Sequence, residues 1–143
     1  MNQKYISRIL GKKGVQFKIV ENGVLAQEEC SQSKYDVIFM DLFMPEKDGF
    51  DATKGIRKSE NPNKETPIYA LTATAVAQHK QRALTVGMDG FISKPFHPDE
   101  IHQVLQQISY HKNNENITAM STDSNELQEY QFNEKFDQDS LAM

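Results

Sequence analysis

The chain has a single cysteine, Cys30, among its 143 residues. A lone cysteine excludes an internal disulfide framework and most cysteine-based zinc sites. Long hydrophobic runs are missing too: none reaches the roughly 18 residues that a membrane-spanning helix needs. The amino terminus shows no signal-peptide pattern. Together these absences set the expectation of a cytoplasmic, reducing setting. Apolar residues make up only 38% of the sequence, low for a compact globule, so part of the chain is expected to be solvated. A basic excess is also lacking. The net charge of −4 argues against nonspecific binding to nucleic acid.

The charge is unevenly spread. Residues 1–111 hold 14 Lys and Arg against 13 Asp and Glu, whereas residues 112–143 hold 2 against 7. The second stretch is rich in Asn, Ser, Gln and Glu and poor in aliphatic residues, the composition of a linker or tail. Two units follow from this reading. Residues 1–111 form the folded domain. Residues 112–143 form a largely disordered acidic tail, with 112–125 as linker and Tyr130 to Asp137 as the start of a further domain.

Within the first unit, strand and helix patterns alternate. Residues 3–12 read as a helix, and Val15 to Val20 alternates apolar and polar side chains as a strand does. Asn22-Gly23 marks a turn before a short helix over 23–33. Tyr35 to Met40 is a nearly continuous apolar run, the signature of a strand covered on both faces. Asp48-Gly49 marks a tight loop before a helix over 50–60. Pro67 to Thr72 is a third strand, 75–86 a helix stopped by Gly87, and Met88 to Ser93 a fourth strand. Residues 98–110 carry Ile101, Val104, Leu105 and Ile108 on one helical stripe. This alternation predicts βαβ units, a parallel sheet and a three-layer α/β fold.

In such sheets the functional crevice lies outside the carboxyl ends of the strands. Asp41, Thr72 and Lys94 each sit at one of those ends. A carboxylate, a hydroxyl and an ammonium converging on one rim suit phosphoryl transfer. The carboxylate can form an acyl phosphate, and the other two can hold the transferred oxygens. Taken singly, each residue reads more simply as a cap, a turn residue or a solvated side chain.

Their order and spacing change the weighing. Asp41-Leu42-Phe43-Met44-Pro45-Glu46-Lys47-Asp48-Gly49-Phe50, Pro67 to Ala73 and Gly87 to Phe96 resemble the receiver domain of two-component response regulators, above all the receivers of hybrid sensor histidine kinases. The resemblance covers about residues 2–109. It implies a flavodoxin-like fold and a signalling module rather than an enzyme. Asp41 would accept phosphate from the phosphohistidine of a histidine kinase or phosphotransfer domain. Thr72 and Lys94 would hold the phosphoryl group, and Phe91 would be the aromatic switch. Pro95 follows Lys94 where the family often has a cis bond. Magnesium would be bound by Asp41 and the Phe43 carbonyl, and Phe43 with Thr74 would flank the path of hydrolytic water. An apolar Phe43 cannot orient that water, so a long-lived acyl phosphate is expected. The helix over 98–110 would carry the output surface.

One part of the family pattern is missing at the amino terminus. Asn2 to Leu10 corresponds to the family's first helix. The strand that precedes that helix in the family, with its magnesium-binding acidic pair, has no counterpart there. The expectation is therefore a sheet lacking its first strand, weak or lost magnesium binding, and an exposed inner strand at Tyr35 to Met40. That edge would be open to a homodimeric contact. The loss of about four buried aliphatic side chains would cost roughly 6–12 kcal/mol. An inactive pseudo-receiver, or a gene fragment acting only as a protein-binding module, is the alternative. A phosphatase of the haloacid dehalogenase type would need a second aspartate where Phe43 stands. The histidines (His79, His97, His102 and His111) read as surface residues without metal-site company. No DNA-binding domain is apparent.

Overall fold

A computed structural model describes residues 3–12, 14–44, 46–73, 76–112 and 117–122. The elements run α1 (Gln3–Lys12), β1 (Gln16–Val20), α2 (Gly23–Gln32), β2 (Val37–Asp41), α3 (Gly49–Lys58), β3 (Ile68–Thr72), α4 (Ala77–Val86), β4 (Gly90–Ser93), α5 (Pro98–Lys112) and β5 (Thr118–Thr122). The first nine match the alternation read from the sequence to within about two residues at each end.

Local chemistry sets their ends. The Asn22 side chain accepts a hydrogen bond from the Leu25 amide at 2.9 Å, capping α2. Asp48 does the same for α3 through the Asp51 amide at 2.8 Å. Gly87 closes α4 in the left-handed conformation, at φ 108°, a region that other residues enter only at a cost.

All strand pairings are parallel, in the order β1-β5-β2-β3-β4. Two apolar clusters sandwich the sheet. On one face, Ala26 and Cys30 of α2, Phe50, Ala52 and Ile56 of α3, and Ala83 of α4 pack on Ile38, Met40, Ile68, Ala70 and Met120. On the other, Ile6, Ile9 and Leu10 of α1 and Ile101, Val104 and Leu105 of α5 pack on Val37, Phe39, Leu71, Ile92 and Ala119. The result is the three-layer architecture predicted from the alternation.

The tenth element corrects the sequence reading. Residues 118–122, taken as part of a linker, form a central strand buried on both faces. β5 lies between β1 and β2, in the slot expected to be empty. The register is Val37↔Ala119, Ile38↔Met120 and Phe39↔Ser121 on one side, and Gln16↔Thr118 to Val20↔Thr122 on the other. The spatial order is that of the flavodoxin-like sheet, 2-1-3-4-5, with the last strand of the described chain in the place of the first.

The geometry explains why this closes. Parallel neighbours require a crossover, usually a helix. α5 has 15 residues, about 22 Å at 1.5 Å per residue, enough to return from the carboxyl to the amino ends of five-residue strands. The start of β5 is then clamped. The Asp36 amide donates to the Thr118 carbonyl at 2.8 Å, and the Thr118 amide donates to Asp36 Oδ2 at 2.9 Å. The Gln16 amide donates to the Ile117 carbonyl at 3.2 Å.

Two further expectations change with β5. The inner strand β2 is paired on both sides, by β5 and β3, so it offers no open edge for a homodimeric contact. The outer strands are β1 and β4. The segment from Tyr130 to Asp137, read as the start of a further domain, lies outside the described residues.

Candidate functional site

Asp41 is the last residue of β2, and its side chain is 0% exposed. Lys94 follows β4 directly, and its side chain is 7% exposed. Lys94 Nζ lies 2.7 Å from Asp41 Oδ1, a charge-assisted contact at the short end of the usual range. β3 lies between the two strands that supply this pair. It contributes Thr72 at its own carboxyl end, 1% exposed, and the Lys94 amide donates to the Thr72 carbonyl at 2.7 Å. The sequence-predicted triad therefore does gather at one rim. Asp41 and Lys94 are in direct contact, and Thr72 is tied to Lys94 through the backbone.

The loop after β2 is held close. The Leu42 amide donates to the Leu71 carbonyl at 3.0 Å, and the Gly49 amide to the Leu42 carbonyl at 2.9 Å. A Cβ on Gly49 would lie 2.0 Å from the Asp41 carbonyl oxygen, so only glycine permits this approach of α3 to the end of β2.

A residue missed in the sequence also reaches the site. Thr122 Oγ1, at the carboxyl end of β5, accepts a hydrogen bond from the Asp41 backbone amide at 2.7 Å. The one available signal was a β-branched residue four places after another (Thr118, Thr122) around Ala119-Met120. It was hidden among Asn, Asp, Glu and Ser.

Phe43 is 38% exposed. Its ring meets Phe50 edge-on at 6.0 Å and His79 at 5.1 Å. The Arg82 guanidinium lies 4.1 Å from the Phe50 ring centre. His79, expected to be a plain surface residue, is thus part of an aromatic group beside the site. Phe91 is partly buried against the α2–α4 cluster, with Lys80 Nζ 5.6 Å from its ring centre. The Lys94-Pro95 peptide bond is cis. Thr74 lies outside the described residues.

Magnesium takes six oxygens and usually one or two carboxylates with water and substrate phosphate. Among the described residues the rim supplies one carboxylate, Asp41, already paired with Lys94. No group of three His, Cys, Asp or Glu side chains comes together among them. Asp41 is the carboxylate that a magnesium ion at this rim would use. No helix among the described residues is long and apolar enough to cross a membrane.

Comparison with known proteins agrees with this geometry. The family described as the response regulator receiver domain matches residues 1–106. Hybrid signal transduction histidine kinase B of Dictyostelium discoideum is 40% identical over 123 residues, covering 79% of this chain and 6% of that protein. The sensor histidine kinase RcsC of Escherichia coli is 36% identical, covering 73% of this chain and 11% of that protein. The chain thus spans only a small part of the length of the curated relatives it matches. Among solved structures, the receiver domain of a Pseudomonas aeruginosa sensor histidine kinase, with magnesium coordinated in its active-site cleft, superposes with a TM-score of 0.68. It is 36% identical, covering 74% of this chain and 86% of that one. A chemotaxis protein of Vibrio cholerae gives a TM-score of 0.68 at 30% identity, covering 74% of this chain and 88% of that one. With its parallel sheet and its Asp41–Lys94 rim, the chain belongs to the response regulator receiver domain family.

Proposed function

We propose that this receiver is a phosphoacceptor in a two-component phosphorelay, with Asp41 taking a phosphoryl group from a phosphohistidine. The observation that carries the reading is the buried Asp41–Lys94 pair at 2.7 Å at the carboxyl ends of the strands. The electron count is simple. An Asp41 carboxylate oxygen forms a bond to phosphorus, the phosphorus–nitrogen bond of the donor breaks, and the imidazole keeps the electron pair. Lys94 offsets charge on the transferred oxygens, and the Thr72 hydroxyl donates to one of them. Phe91 is the aromatic switch that responds. Phe43 and Thr74 set the lifetime of the acyl phosphate. Were magnesium bound, Asp41 and the Phe43 carbonyl would hold it from this chain, and it would offset phosphoryl charge.

The partner is a histidine kinase or histidine phosphotransfer domain, and the setting is cytoplasmic. The chain acts as a signalling domain and not as an enzyme on a separate substrate. Within residues 112–143, Thr118–Thr122 contribute one strand to the receiver.

The test is intact mass of the full chain after incubation with a small acyl-phosphate donor, with and without magnesium, beside Asp41→Ala. Gain of one phosphoryl group, lost in Asp41→Ala, is expected. The complete burial of Asp41 favours one second reading, in which the ion pair is structural and the chain works by binding alone. No adduct on folded protein, in either condition, would establish that reading instead.

A further inference from the structure

We infer that Thr122 is a positioning residue for the phosphoacceptor, so that the strand β5 is a working part of the site and not only a structural filler. The inference rests on the reading of Asp41 as phosphoacceptor. Along β2 the ladder to β5 runs Val37↔Ala119, Ile38↔Met120, Phe39↔Ser121. At Asp41 the pattern changes. The acceptor for the Asp41 amide is a side-chain oxygen, Thr122 Oγ1, at 2.7 Å in a buried setting.

That bond fixes the backbone of the one residue whose carboxylate must meet both Lys94 and an incoming phosphoryl group. It acts from the side of β2 opposite Thr72. Asp41 is thereby held from both neighbours: by Thr122 on β5, and on the β3 side by the Leu42 amide bond to Leu71. A hydroxyl that accepts from an amide keeps its own proton to donate, so Thr122 brings a second buried hydroxyl to the rim. Valine has the same shape and lacks the acceptor. In Thr122→Val the Asp41 amide must find another partner, and the carboxylate moves with it. Misplacement of a reacting group by about 1 Å can cost up to a hundredfold in rate.

The experiment measures two quantities on the full chain. The first is the rate constant for acyl-phosphate phosphorylation at saturating donor, with the donor concentration for half-maximal rate. The second is hydrogen exchange at the Asp41 amide. Thr122→Val is expected to lower the saturated rate about tenfold, with little change in half-saturation, and to speed exchange at the Asp41 amide. Thr122→Ser is expected to restore both. Met120→Ala, which weakens the same strand without touching the amide, is expected to leave the rate per folded molecule unchanged.

Wild-type rates in Thr122→Val, or failure of Thr122→Ser to rescue, would overturn the inference. An equal slowing in Met120→Ala would reduce Thr122 to a structural role and overturn it as well. If the wild-type chain takes no phosphoryl group, the phosphoacceptor reading fails, and the positioning role of Thr122 falls with it even where the exchange data confirm the bond.

Discussion

Lys94 and Asp41 bury opposite charges against each other, 2.7 Å apart. Breaking such a pair from one side costs more than the pair contributes, because the remaining charge stays desolvated. Lys94→Ala is therefore expected to destabilise the fold by about 3 kcal/mol, read from urea unfolding. A loss indistinguishable from zero would mean that Asp41 is hydrated and the pair is open. Phe43 presents only ring edges and faces to its neighbours Phe50 and His79. Phe43→Asn supplies a polar group at that position and is expected to shorten the acyl phosphate lifetime severalfold, measured by loss of the adduct after donor removal. Cys30 is fully buried. Burial, with a smaller push from Glu29 against a pull from Arg57, raises its thiol from 9.0 to about 12. The raised value means that stability from the neutral thiol is complete below about pH 9 and is lost as pH rises toward about 12. Alkylation of the native protein near pH 8 should be slow and become fast in denaturant. At this scale the sequence was readable where chemistry sits at a strand end. Asp41, Thr72 and Lys94 were found that way. Thr122 was not, because its strand had no apolar run to end.

Among the elements, the link between α3 and β3 is stitched by one side chain. Asn63 Oδ1 accepts from the Tyr35 amide at 2.7 Å, and Asn63 Nδ2 donates to the Cys30 carbonyl at 2.7 Å and the Ser33 carbonyl at 2.5 Å. Asn63 thus joins the end of α2, the lead into β2 and the loop before β3. Asn63→Ala would strand two buried backbone groups and one part-buried one, each worth on the order of 1 kcal/mol or more. A loss of about 2–3 kcal/mol in thermal or chemical unfolding is expected, and a near-neutral result would show that water replaces the amide. Arg57 fastens the far end of the same region, donating to the Gly87 carbonyl at 2.9 Å, the Lys64 carbonyl at 2.8 Å and Asp89 at 3.0 Å. Element positions were readable because periodicity and caps agree over the first nine elements. β5 was not. A strand covered on both faces is expected to be continuously apolar, yet Thr118-Ala119-Met120-Ser121-Thr122 carries three hydroxyl residues. Its Thr118 carbonyl and Thr122 hydroxyl are satisfied by Asp36 and Asp41, partners distant in sequence. A local reading cannot see them.

At the scale of the molecule, the alternation of strand and helix patterns predicted the right layers, and composition hid one strand. An acidic, Asn-rich stretch averages to a tail, and five buried residues within it do not move that average. Topology reverses the consequence. A sheet expected to be split gains its central strand from beyond α5, and both apolar clusters are completed, by Met120 on one face and Ala119 on the other. This strand seals β2 and brings Thr122 to Asp41. The most direct measurement is residue-resolved amide hydrogen exchange of the full chain at neutral pH. The account predicts that the amides of Ala119, Met120 and Ser121 exchange as slowly as those of Ile38 and Phe39, in one cooperative unit with the core. Rapid exchange over 118–122, alongside slow exchange in β2 and β3, would contradict it.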